Sequence, residues 1–251
     1  MGGGLSERII PRRELEILIS RVPENPNPKV ELEQYTIPPE VASKMLYIAC
    51  YVYRDIIGKR VLDLGCGTGR LAIGAAYLGA SEVVGIDIDK EVVEIAKDAA
   101  KSLGVDESTS WVAGDLYSLR GRYDTVIQNP PFGVQRRRAD RIFLKRALEL
   151  GFKVYSLHKS EVGGKEAVKS FRGSRDKVVP TKPSRFLKAF IKDLGGEIEA
   201  VYTMLMRIPR VFDFHRKFRH EFIVDLYVIK RKTSKSLLDS HSLNLSNRGV
   251  G

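Results

Sequence analysis

The chain has 251 residues, 43% of them hydrophobic, enough for one sizeable core, yet no apolar run approaches the ~20 residues of a membrane helix. Its 42 Lys and Arg against 31 Asp and Glu leave a formal charge of +11, which favours a polyanionic partner such as nucleic acid. The start lacks a charged-then-apolar leader, and Cys50 and Cys66 stand in unlike contexts, so an intracellular, cytoplasmic protein without disulfide framework or zinc site is expected.

After Gly2-Gly3-Gly4, Pro11 to Ser20 reads as a helix with Leu15, Leu18 and Ile19 on one face, and Pro23 to Pro28 as a connector. Residues 1–31 are thus expected to form a helix and linker ahead of the main domain. A helical apolar pattern runs from Val41 to Ile56 and stops at Gly58. Strand and helix then alternate: strands at Arg60–Leu64, Glu82–Asp87, Thr109–Ala113, Tyr123–Gln128 and Lys153–Leu157, helices at Arg70–Leu78, Lys90–Leu103 and Asp140–Leu150. That order predicts an α/β fold, a doubly wound Rossmann-like sheet that is mostly parallel. A basic helix near Phe186–Leu194 and two alternating strands, Glu197–Met206 and Phe222–Lys230, predict an antiparallel C-terminal pair closing one sheet edge. The main domain is expected over residues 32–230, followed by a Ser-, Asn- and Lys-rich tail, 231–251, too polar to fold. The topology places Thr109–Ala113 at the other edge, carrying Trp111 without a charge or proline to blunt it.

Val61–Leu64 runs into Gly65-Cys66-Gly67-Thr68-Gly69, a turn whose glycines let backbone approach a ligand. The spacing is Gly-x-Gly-x-Gly, unlike the Gly-x-Gly-x-x-Gly of dinucleotide enzymes. The next strand ends in Asp87, placed to accept hydrogen bonds from ribose hydroxyls, and the third is followed by Asp115 and Leu116, where an adenine amine could be read. Both acids could instead cap the element that follows. A fourth strand empties into Asn129-Pro130-Pro131-Phe132. Proline ends the strand and holds the chain extended. An amide oxygen, a proline carbonyl and a ring then offer a planar amine two acceptors and a stacking surface. In this order and spacing the four elements point to a class I S-adenosylmethionine-dependent methyltransferase.

Arg136, Arg137 and Arg138 lie just past that corner, either to neutralise phosphates of a flipped nucleotide or as a solvated run. His158 and Lys159, at a strand end nearby, could touch RNA or cap the strand. Phe212 to Arg219, including His215, Arg216 and Lys217, interleaves aromatic and basic residues as RNA backbone contacts do. His215 and His220 lack cysteine or acid partners, so no metal is expected.

Several stretches resemble the archaeal and eukaryotic methyltransferase-like protein five family, adenine-N6 methyltransferases of small-subunit ribosomal RNA. They are Leu32-Glu33-Gln34-Tyr35, Asp63 to Gly67, Gly85 to Asp89, Asp124 to Ile127 with Asn129 to Gly133, Val154 to Lys159 and Phe214 to Lys217. Between Leu32 and Lys230 the region Glu161–Lys182 departs from the family and reads as an insertion. The resemblance implies that Gln34, Gly65, Thr68, Asp87, Asp115 and Leu116 line the S-adenosylmethionine pocket and that Asn129 to Phe132 hold the target adenine. It also implies a small zinc-binding activator protein docked on the edge strand Thr109–Ala113. Two alternatives stay open: a release-factor glutamine methyltransferase, since a side-chain amide also carries two hydrogens, and an RNA-binding factor without catalysis.

Overall fold

The computed structural model describes residues 9–132, 138–161, 164–174, 176–209 and 219–232. Five parallel strands come first: β1 (Arg60–Leu64), β2 (Glu82–Asp87), β3 (Thr109–Ala113), β4 (Tyr123–Gln128) and β5 (Gly151–Lys159). β6 (Val178–Pro180), β7 (Gly196–Pro209) and β8 (Arg219–Arg231) run antiparallel to their neighbours. All eight form one sheet in the order β3-β2-β1-β4-β5-β8-β7-β6, the expected doubly wound, mostly parallel architecture.

Alternate residues of the central strands feed two cores. Val61, Val83, Ile127 and Tyr155 face α1 (Arg12–Ser20), α2 (Pro39–Tyr47), α3 (Arg70–Tyr77) and α4 (Lys90–Ser102). Leu62, Val84, Val126 and Val154 face α5 (Ala139–Leu150) and α7 (Arg185–Asp193). With both faces covered, β1, β2, β4 and β5 bury side chains on both sides of the sheet, whereas the edge strand β3 buries none. Leu15 and Ile19 of α1 are fully buried, and Gly74 of α3 lets the helices meet, since a Cβ there would sit 2.4 Å from Leu46.

Two expectations need correction. The helix expected over Val41–Ile56 spans Pro39–Tyr47, then widens into a π turn at Ile48–Val52. Asp55 lies beyond it, its carbonyl accepting from Thr125 Oγ1 at 2.5 Å and its carboxylate from the Tyr155 hydroxyl at 2.7 Å. Those bonds to β4 and β5 override helical propensity. In the unmatched stretch Glu161–Lys182, α6 (Lys165–Arg172) packs Phe171 against Leu205 and Ile223, and β6 pairs with β7. The sheet edge is therefore closed by β6, not by the β7–β8 pair. Among the described residues no helix is long and apolar enough to cross a membrane, and no His, Cys, Asp and Glu cluster could hold a metal.

Candidate active site

Strand order reverses between β1 and β4, where Leu64 and Gln128 are register partners. Gly65 and Asn129 thus leave the sheet side by side, at the crevice where ligands bind in open α/β sheets. A cavity of about 580 Å³ opens there. Gln34, Gly65, Thr68, Asp87, Asp115 and Leu116 all line it, as do Asn129 and Pro131.

Gly67 turns with φ 53°, a left-handed conformation that suits glycine, and its amide donates to Asp87 Oδ2 at 2.9 Å. Asp87 Oδ1 accepts from the Asp89 amide at 3.0 Å, and burial raises its pKa. Asp115 accepts from the Tyr117 amide at 2.8 Å. Capping and cavity-lining thus coexist in these two acids, because each carboxylate oxygen carries more than one lone pair. Beneath the turn, Thr68 Oγ1 and Asp63 Oδ1 are buried without a partner among the described residues. Burial pushes the Asp63 carboxyl up to about 8. Orphaned polar atoms facing a cavity are what a polar ligand end would satisfy. Gln34 holds the covering segment: its amide donates to Asp89 Oδ2 at 2.9 Å and accepts from the Lys29 amide and the Asn25 side chain.

At the β4 end, Asn129 is half-buried and Pro130 buried. The Tyr35 hydroxyl donates to Asn129 Oδ1 at 3.0 Å, and its ring stacks on Phe132 with centroids 5.7 Å apart and planes 25° from parallel. Phe132 also meets Phe222 edge-to-face at 5.5 Å. Two neighbouring bonds fix the Tyr35 segment: Arg70, buried at the start of α3, donates to the carbonyls of Ile37 at 2.8 Å and Val22 at 3.2 Å.

Comparison with known proteins gives the family. The methyltransferase small domain pattern matches residues 41–150. A solved structure of a proposed RNA methyltransferase from Pyrococcus horikoshii superposes with a TM-score of 0.75 at 36% identity, covering 90% of this chain and 100% of that one. An uncharacterized protein of Methanocaldococcus jannaschii is 38% identical over 236 residues, 89% of this chain and 95% of its own. The rRNA N(6)-adenosine-methyltransferase METTL5 of Danio rerio is 32% identical over 218 residues, 85% of this chain and 95% of its own. The chain belongs to the METTL5 family. It is a methyltransferase, and S-adenosylmethionine is its cofactor. The cavity's lining fits such a polar molecule: it carries the glycine turn, the carboxyls of Asp87 and Asp115, and the Thr68 hydroxyl and Asp63 carboxyl oxygen that have no partner among the described residues.

The sites expected for RNA divide differently. His158 is not available to a ligand: it is 3% exposed, bonded to Ser156 Oγ at 2.8 Å and packed edge-on against Tyr227. Burial pushes its pKa down to about 4, so it is a neutral core histidine. The sheet is covered on this face as on the other, which places the strand's alternate residue inside. Lys159 and Arg138 are exposed, the latter at φ 71° ahead of α5. Arg136, Arg137, His215, Arg216 and Lys217 lie outside the described residues. Trp111 is not displayed on the β3 edge either. Its ring turns inward over Gly85 and Gly69, where an added Cβ would approach it to 2.6 and 2.7 Å. Tyr35 is the site residue that reading by motif missed as an actor, because its partner Asn129 is 94 positions away.

Proposed function

We propose that this protein methylates the exocyclic N6 of an adenosine in RNA, within small-subunit ribosomal RNA. The observation that carries the reading is the corner at the end of β4, where Asn129 and Pro131 line the cavity and Phe132 adds a ring. An adenine N6 is a poor nucleophile because its lone pair is delocalised into the base. Asn129 Oδ1 and the Pro130 carbonyl accept its two hydrogens and favour a pyramidal nitrogen with its lone pair free. S-adenosylmethionine supplies the methyl group and its sulfonium leaving group. What the chain contributes is position, an effect worth ~7–11 kcal/mol in well-oriented systems. The turn Gly65–Gly69 and Asp87 hold the cofactor's ribose side, Asp115 and Leu116 its adenine, and Thr68 with Asp63 its amino-acid end.

Tyr35 already makes the two contacts the target base would make, a ring on Phe132 and a hydrogen donated to Asn129 Oδ1. With the ring centroids only 5.7 Å apart and the rings stacked, there is no room for a base between them. The flipped adenine therefore exchanges with Tyr35. The formal charge of +11, the exposed Arg138 and Lys159 and the named activity of the Danio rerio relative support RNA as the substrate. β3, paired on one side, is the edge on which a small zinc-binding activator would add.

The test is methylation of purified small-subunit ribosomal RNA with labelled S-adenosylmethionine, followed by nuclease digestion to identify N6-methyladenosine. Asn129→Ala should lower turnover about 10²–10³-fold while cofactor affinity persists, by analogy with losing one preorganised polar contact. Full activity in that variant, or label found in a protein glutamine instead, overturns the reading.

A further inference from the structure

Resting on the RNA reading above, we propose that the first turns of α5 and α7 form a crest that carries the RNA strand away from the Asn129 corner. On it the Arg141 guanidinium is a stacking platform for a base neighbouring the target.

The placement follows from strand register. Gln128, next to Asn129, pairs with Ser156 on β5, and Ser156 pairs with Tyr227 on β8. The Tyr227 hydroxyl accepts from the amide of Ser184, the residue that caps α7. This line crosses the sheet at the level of the proposed catalytic corner, so α7 begins on the same edge as the cavity. α5 begins there too, with Ala139 and Ile142 in the cavity wall.

Between the two helix starts, the Arg141 Cζ lies 4.3 Å from the centroid of the Phe186 ring. Phe186 is backed by Phe190, nearly parallel at 14° with centroids 5.8 Å apart, yet remains 42% exposed. Leu187 and Ile191 already fill α7's core positions, so burial does not explain an aromatic residue at 186. The shelf does explain it. It sets the guanidinium over the ring of a partly exposed aromatic pair, where a base could stack on it in turn. Among the described residues no hydrogen bond or ion pair holds the Arg141 guanidinium, which also lies in the field of the neighbouring Asp140 carboxyl, and its N–H fork suits a phosphate.

The surroundings are cationic. Lys145 follows one turn later on α5, and Arg185 and Lys188 are exposed on α7. The acid of this first α5 turn, Asp140, is half-buried with its pKa raised by burial. A crest with exposed cations and a partly exposed ring, beside a cavity that takes a flipped base, matches single-stranded RNA in both backbone and bases.

The experiment uses the full chain with S-adenosylmethionine and single-stranded RNA containing the target adenosine, with 2-aminopurine at each flanking position in turn. Wild type should quench the probe at one flank. Arg141→Lys keeps the charge but not the plane: quenching should vanish and affinity fall about tenfold, with the salt dependence unchanged. Phe186→Ala removes the shelf and should behave alike. Arg141→Ala should in addition flatten the logarithmic salt slope by ~0.7, one phosphate contact on a single strand. Replacing Lys145 and Lys188 with Gln, a surface change safe for folding, should lower the slope by ~1.4 and leave quenching intact. If Arg141→Lys and Phe186→Ala quench and bind like wild type, the crest is a solvated surface and the inference fails. If wild type binds and methylates no RNA, the functional reading itself falls, a separable result.

Discussion

Replacing Tyr35 with Phe removes one hydroxyl and leaves the ring on Phe132. The bond lost, 3.0 Å to Asn129 Oδ1, joins partly buried neutral groups, so it is worth about 0.5–1.5 kcal/mol net. Ligand-free stability should fall by that amount, read by urea unfolding. Catalysis should move the other way. If the target base must displace Tyr35 from Asn129, a weaker incumbent lowers the cost of exchange by the same energy. KM for RNA should then drop about two- to twelvefold while kcat at saturation holds. Steady-state methylation of an RNA oligonucleotide with labelled cofactor separates the two constants. A fall in kcat with KM unchanged would place the hydroxyl in the transition state, and the exchange between Tyr35 and the base would be refuted.

Asp87→Ala deletes a carboxylate that also anchors the Gly67 amide, and should weaken S-adenosylmethionine by about 1.5–3 kcal/mol in calorimetry; unchanged affinity in a folded variant would remove Asp87 from the site. His158, held near 4 against 6.5 for an ordinary histidine, is neutral in the fold, so its contribution is complete above about pH 6.5 and is lost as pH falls toward 4. That window carries about 3 kcal/mol, and His158→Gln should flatten the stability profile across it; a parallel profile would contradict the burial argument. Asp63 has the opposite sign. Its folded carboxyl keeps a proton up to about 8 while the unfolded one ionises near 4, so stability drops as pH rises between them. Asp63→Asn should abolish that drop in the ligand-free protein, stabilise it at pH 7 and weaken cofactor binding; denaturation midpoints equal to wild type at pH 5 and pH 8 would count against it.

The parallel half was legible because burial on both faces writes itself as apolar runs, punctuated by glycines where the chain must turn at a ligand. Asp87 could be placed in the same way, as the first polar residue after the buried run of β2, while Asp115 was placed by following the half-exposed edge strand β3. His158 was not, because alternation along a strand marks two faces without saying which are covered, and here both are. α6 and β6 were hidden because a three-residue strand and an amphipathic eight-residue helix have too few positions to show a period. The Tyr35–Asn129 bond was unreadable for a different reason: it depends on Arg70 fastening the carbonyls around the segment, a tertiary fact with no local pattern.

Trp111 joins two parts of the molecule that would otherwise answer to different ligands. Its backbone belongs to the outermost strand at one end of the sheet, while its indole lies on Gly69, the last glycine of the turn that lines the cavity. Because the ring leaves no room for even a methyl group at Gly69 or Gly85, the edge strand cannot shift without pressing on the turn. A chain added along β3 and a cofactor seated against the glycines would thus read the same side chain from opposite ends. Any effect of the first on the affinity of the second must be returned in equal measure.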